Sequence, residues 1–210
     1  MAGTEAPTIV IVGGVAGGAS AATRARRANE NARIIMIEKD EYVSFANCGL
    51  PYYIGGEIVE RDQLLVATPE LFESRFGVEV WTRHLVTAID PTNRTVAVRD
   101  LKTGEERTQA WDRLILAPGA SPLVPPIAGV DAPNVLTLRN LADTDRIKQF
   151  IEMHRPSHPV VVGAGFIGLE MVEQLHGLGI PPALVELQDQ VLPPLDREMA
   201  KPIQMALEKE

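Results

Sequence analysis

The sequence predicts an α/β fold in which one strand, loop, helix, strand unit occurs twice, with an antiparallel meander between the copies. Three observations predict it. Residues 9–18 read IVIVGGVAGG and residues 159–168 read PVVVGAGFIG, so a β-branched run enters a glycine loop twice. Each loop leads into a small-residue or amphipathic stretch, Ala19 to Ala28 and Leu169 to Gly177, and then into an apolar run ending in an acid, Ile34 to Glu38 and Ala183 to Glu186. Between the copies, from Val78 to about Leu116, short β-branched runs are separated by the turn sequences Asp90-Pro91-Thr92-Asn93 and Lys102-Thr103-Gly104.

In each copy the glycines have separable tasks. The first makes a tight turn, the second lets backbone approach a pyrophosphate, and the third lets helix and strand pack closely, while the helix N-terminus presents unpaired N–H groups to the phosphates. The second copy has all three, Gly163, Gly165 and Gly168; the first has Val15 at the middle position, though Gly14, Gly17 and Gly18 keep its loop small. An acid lies 25 residues beyond Gly13 (Glu38) and 23 beyond Gly163 (Glu186), near the ~20 at which a carboxylate meets ribose hydroxyls. A purely structural strand-to-helix turn is the alternative for either loop. Two such Rossmann-like units in one chain suggest two redox nucleotides exchanging electrons, typically a flavin and a nicotinamide.

The meander spans about 78–116 and returns through a buried-looking strand, Leu114-Ile115-Leu116, into Ala117-Pro118-Gly119-Ala120. The Pro-rich stretch at about 121–133 reads as a connection. The expected organisation is thus a flavin-type domain over 1–120 and a nicotinamide-type domain over 121–210. Only 24 residues follow Glu186, too few to complete a second doubly wound sheet, so a partial second domain is expected.

Composition narrows the partners. The 210 residues carry 28 acids against 20 Lys plus Arg, a net charge of −8, which offers no basic footprint for nucleic acid or an anionic membrane. No apolar run reaches the ~20 residues of a membrane span, and the N-terminus lacks a basic leader, so a cytoplasmic location is expected. One cysteine excludes an internal disulfide, and no Cys/His cluster has zinc-ligand spacing, so no metal is expected. The four histidines, His84, His154, His158 and His176, are scattered and read as surface or packing residues.

Cys48 precedes an apparent helix start, with Pro51 suited to the first turn. A lone cysteine is commonly a small buried hydrophobe; at a helix start its thiolate form is favoured instead. On the first helix, Ser20, Arg24 and Arg27 fall at i, i+4 and i+7 on one stripe, while Ala19, Ala22 and Ala25 face the sheet. Two arginines on one stripe suit a polyphosphate ligand; a solvated basic face is the alternative.

The segments VGGVAGGASAA (12–22), SFANCGLPYYIGG (44–56), LILAPGASP (114–122), TLRNLADTDRIK (137–148) and VVGAGFIGLEM (161–171) together resemble the coenzyme A-disulfide reductase group, with its related NADH oxidases and persulfide reductases, among the FAD-dependent pyridine nucleotide-disulfide oxidoreductases. The resemblance runs from residue 8 to about 200. Relatives that reduce glutathione disulfide or lipoamide carry a CxxxxC pair and thioredoxin reductases a CxxC; this chain has neither. The resemblance therefore implies Cys48 as the single redox residue, cycling through a Cys48–S–S–CoA mixed disulfide, or through a sulfenic acid if oxygen or peroxide is the acceptor.

It also implies FAD on Gly13, Gly14, Val15, Ala16, Gly17, Gly18, Glu38 and Lys39, on the backbone near Val86, and on Ala117, Pro118 and Gly119. The nicotinamide is implied on Gly163, Ala164, Gly165, Phe166, Ile167, Gly168 and Glu186. NADH is favoured over NADPH because the Glu186 carboxylate would repel a 2′-phosphate, and no Lys or Arg follows until Arg197. Coenzyme A is implied on Ser20, Arg24, Arg27, Ser44 and Asn47, and the full-length protein is implied to be a homodimer. A non-catalytic nucleotide-binding fragment is the remaining alternative.

Overall fold

Continuous apolar runs such as Ile34-Ile35-Met36-Ile37 belong in a strand covered on both faces, and the computed structural model, which describes residues 6–209, places them there. In chain order the regular elements begin with β1 (Thr8–Val12), α1 (Ala16–Ala28), β2 (Arg33–Ile37), α2 (Leu50–Gly55), α3 (Pro69–Phe76) and β3 (Val78–Trp81). Next come β4 (His84–Asp90), β5 (Thr95–Asp100), β6 (Glu106–Ala110) and β7 (Arg113–Leu116). The chain continues through α4 (Leu141–His154), β8 (Val160–Val162), α5 (Phe166–Gly177), β9 (Ala183–Val185) and α6 (Arg197–Leu207). Among the described residues no helix is long and apolar enough to cross a membrane.

The chain divides into two packing units, one comprising residues up to Ala46 with Asp62–Ser121, the other Asn47–Arg61 with Pro122 onward. The first unit is built on a parallel sheet of order β3-β2-β1-β7 and an antiparallel sheet of order β4-β5-β6. Alternation along the parallel strands sends Ile11, Ile34, Met36 and Val78 to one face, against Ala19 and Ala22 of α1 and Phe72 of α3. It sends Val10, Ile35 and Ile37 to the other, against Val96 and Val98 of β5. The sheet thus lies between helices and meander, which is why β2 is apolar at four successive positions.

Two expectations need correction. Val78–Trp81 is not part of the meander: it pairs in parallel with β2, in register Ile34 to Val78, so the antiparallel sheet starts at His84. Leu114 to Leu116 is a strand parallel to β1, but it is not buried; it forms an edge, with Leu116 55% exposed. Strand partnership depends on distant residues, and an apolar triplet reads the same at an edge as at the centre.

In the second unit β8 and β9 form a two-stranded parallel sheet. Ile54 of α2, Ile147 of α4 and Met171 and Leu175 of α5 form its core, with Val161 of β8 packed against them. Packing therefore assigns 47–61 to this unit, although motif-based boundaries place it with 1–120; the physical reason is that α2 lies against α4 and α5.

Candidate functional site

In the first unit the glycine loop is set by backbone crowding. Gly13 has φ +97°, and a Cβ there would fall 2.0 Å from the Ala117 carbonyl oxygen. A Cβ on Gly18 would fall 1.7 Å from the Gly13 carbonyl oxygen, and one on Gly14 2.6 Å from Val43 Cγ1. The loop and Ala117 thus run side by side, joined by the Ala117 N–H donating to Val12 at 2.7 Å. Helix α1, with Val15 at its N-cap position, has no side-chain cap and no acid in its first turn, so its first N–H groups are left for an anion. These bare peptides fit the pyrophosphate of a dinucleotide.

Glu38, only 5% exposed, ends β2 beneath the loop. Its Oε2 accepts from Gly14 N at 2.6 Å and its Oε1 from Asp40 N at 3.0 Å. Lys39 is exposed, and Val86 sits on β4 beside a register shift, half-buried against the core between the sheets.

The second unit repeats this geometry. Gly163 has φ +102°, and a Cβ on Gly168 would meet the Gly163 carbonyl oxygen at 1.9 Å, whereas Gly165 faces open space. Helix α5, capped at Gly165 by no side chain, carries no acid in its first turn, and Phe166 and Ile167 are exposed. Here too the bare loop fits a dinucleotide. Glu186 Oε2 accepts from Ala164 N at 2.7 Å and Oε1 from Gln188 N at 2.9 Å. The Ala164 N–H first, and then that of Gln188, hold its carboxyl below the usual carboxylate range. Both acids therefore organise their loops, a task that spacing alone did not reveal.

On α1 the polar stripe is as expected: Ser20, Arg24 and Arg27 are exposed. The arginine between them is not available. Arg26 donates to the carbonyls of Phe76 and Gly77 at 2.6 and 2.9 Å and to those of Asn29 and Glu30, tying α1 to the end of α3.

Cys48, an exposed free thiol, lies in a 3₁₀ turn, Asn47–Gly49, that runs into α2 with Pro51 in its first turn. Asn47 Oδ1 is buried without a hydrogen-bond partner. The following segment is pinned to α4 and α5. Lys148 Nζ donates to the Tyr53 carbonyl at 3.2 Å and lies over the Tyr53 ring. Buried Gln174 donates to Glu57 at 2.7 Å, and Arg61 forks onto Asp145 at 2.7 to 3.0 Å. Tyr52, one turn beyond Cys48, has its phenol raised above the ordinary range by the Glu170 carboxylate first, then by burial, Glu173, Glu57 and Cys48.

Residues 7–210 match the family model described as pyridine nucleotide-disulphide oxidoreductase. The chain is 43% identical over 203 residues to the coenzyme A disulfide reductase of Staphylococcus aureus strain JH9, covering 97% of this chain and 46% of that protein. Among solved structures it superposes on reduced CoADR-RHD of Bacillus anthracis with TM-score 0.94 and 49% identity, covering 97% of this chain and 37% of that one. The NAD-dependent persulfide reductase from A. fulgidus matches with TM-score 0.90 and 38% identity, over 96% of this chain and 38% of that one. The water-forming NADH oxidase from Lactobacillus brevis matches with TM-score 0.91 and 27% identity, over 97% and 45%. The chain thus spans about half the length of the curated relative it matches. With two glycine loops of one design, an acid clasping each, and a match over almost its whole length, the chain belongs to the pyridine nucleotide-disulphide oxidoreductase family.

Proposed function

We propose that this chain carries the nucleotide loops and redox cysteine of an FAD-dependent, NAD(P)H-linked reductase of coenzyme A disulfide, or of a related persulfide or polysulfide. The observation that carries the reading is Cys48, exposed at the head of α2 and the only cysteine in the chain, in a family fold shared at 43% identity with a coenzyme A disulfide reductase. On this reading Gly13 to Gly18 with Glu38, Lys39, Val86 and Ala117 to Gly119 hold FAD, and Gly163 to Gly168 with Glu186 hold NADH. FAD held there would supply the two electrons for disulfide cleavage, drawn as a hydride from the nicotinamide.

The Cys48 thiolate attacks one sulfur of coenzyme A disulfide, forming the mixed disulfide and releasing one coenzyme A thiolate. Two electrons then cleave the mixed disulfide, returning the Cys48 thiolate and, with a proton, a second coenzyme A thiol. Per turnover, one NADH and one proton convert one disulfide to two thiols. Ser20, Arg24, Arg27, Ser44 and Asn47 bind the coenzyme A moiety, the arginines through its phosphates.

The test is NADH-dependent cleavage of coenzyme A disulfide by the full-length protein, with flavin absorbance recorded on the same sample. Cys48→Ser is expected to retain flavin and to lose disulfide turnover by about 10³-fold or more; turnover unchanged by the substitution refutes the mechanism. The structural match to an NADH oxidase favours one second reading, in which Cys48 cycles through a sulfenic acid. In that case oxygen or peroxide, and not the disulfide, sustains NADH consumption. A flavin-free protein in both assays would leave a nucleotide-binding chain without catalysis.

A further inference from the structure

The two glycine loops share a hydrogen-bonding device that their sequences do not announce. In the first, Gly14 donates its N–H to Glu38 Oε2 at 2.6 Å, and its carbonyl accepts from the Ser44 N–H at 3.0 Å. In the second, Ala164 donates to Glu186 Oε2 at 2.7 Å, and its carbonyl accepts from the Leu192 N–H at 2.8 Å. The second loop residue is thus gripped on both sides of its backbone in each unit. Ser44 and Leu192 each lie six residues beyond the acid.

Both also adopt the left-handed backbone region, with φ +46° for Ser44 and +47° for Leu192. A non-glycine residue stays there only when its surroundings hold it. The surroundings differ: the Ser44 carbonyl accepts from Val66 N and Ala67 N, whereas that of Leu192 accepts from Leu195 N, and Leu192 is 3% exposed. The flanking sequences, YVSFAN and QVLPPL, share only the buried valine before the latch residue, Val43 and Val191. A strained conformation that recurs at one place in the hydrogen-bond pattern, on unrelated residues, points to a requirement of the loop.

We propose that Ser44 and Leu192 are equivalent positioning residues, whose left-handed backbone latches the second residue of each dinucleotide loop against its acid and holds the loop ready before the nucleotide binds. The proposal rests on the reading of these loops as FAD and nicotinamide sites. In the first unit the latch residue lies four residues before Cys48 in the chain.

The test uses the full-length protein with Ser44→Val, Ser44→Ala and Ser44→Gly. Three readouts apply: amide hydrogen exchange at residue 44 in the flavin-free protein, corrected for intrinsic rates, FAD titration, and visible circular dichroism of the bound flavin. A β-branched residue resists positive φ, so Val is expected to speed exchange and weaken FAD by about tenfold each and to alter the dichroism. Alanine, which keeps the N–H and the same backbone preference, stays within about twofold of wild type in exchange and FAD affinity, and glycine, which takes positive φ without strain, protects residue 44 better than wild type or alanine does. Valine indistinguishable from wild type, or alanine or glycine as impaired as valine, overturns the proposal. If the valine variant does not fold, the remaining pair decides: residue 44 exchanging more slowly in glycine than in alanine supports the latch, and equal or faster exchange refutes it. Failure of the wild-type protein to bind FAD refutes the flavin assignment alone, because exchange at residue 44 still reads the latch.

Discussion

Alanine at Gly17 and at Gly18 isolates the steric demand of the first loop. Both positions lie in the first turn of α1, so both substitutions gain the same helix propensity, about 1 kcal/mol, which cancels in their difference. What differs is the space. At Gly18 the new Cβ lies 1.7 Å from the Gly13 carbonyl oxygen and 2.7 Å from its carbon, both backbone atoms that cannot rotate away. At Gly17 it lies 3.3 Å from the Ala117 Cβ, and a shift of a few tenths of an ångström relieves it. Overpacking of the first kind costs about 1–3 kcal/mol, so Gly18→Ala is expected to be about 2 kcal/mol less stable than Gly17→Ala, roughly a 30-fold change in the folded-to-unfolded ratio. Both tryptophans of the chain, Trp81 and Trp111, belong to the first unit, so their fluorescence in a urea titration follows that unit. At ~2 kcal/mol per molar the two midpoints should differ by about 1 M. Midpoints within about 0.2 M of each other would refute the claim that close contact of α1 at Gly18 with the Gly13 carbonyl shapes the loop.

Two other outcomes follow from the second unit. Hydrogen bonds donated by the Ala164 and then the Gln188 N–H hold the Glu186 carboxyl below its ordinary value of 4.5, so the stability it contributes is present above that value and is lost as pH falls through the folded one. Exchange at the Ala164 amide should accordingly be faster in Glu186→Gln than in wild type at pH 7, with the difference closing as pH falls through the folded value; a difference independent of pH would contradict this assignment. Arg61→Lys keeps the charge opposite Asp145 but loses the fork, and with side chains 26% and 40% exposed the loss is about 0.5–1 kcal/mol. Limited proteolysis within 47–61 should become faster, and an unchanged cleavage rate would show that the pair does not pin the segment.

The two loops, their acids and the exposed stripe of α1 are legible from the residues alone. These features rest on short-range demands: a positive φ at Gly13 and Gly163, the absence of a Cβ at Gly18 and Gly168, and a 3.6-residue period for Ser20, Arg24 and Arg27. Such demands restrict residue type at the position itself. Only the folded chain reveals that Val78–Trp81 joins the parallel sheet, that α2 packs with α4 and α5, and that the Ser44 and Leu192 N–H groups bond to the loops. Strand partnership and helix packing depend on residues far along the chain, and the grip uses a backbone N–H that every residue except proline possesses. A left-handed serine or leucine leaves no mark on composition or period, because the hydrogen bonds around it, and not its side chain, keep it there.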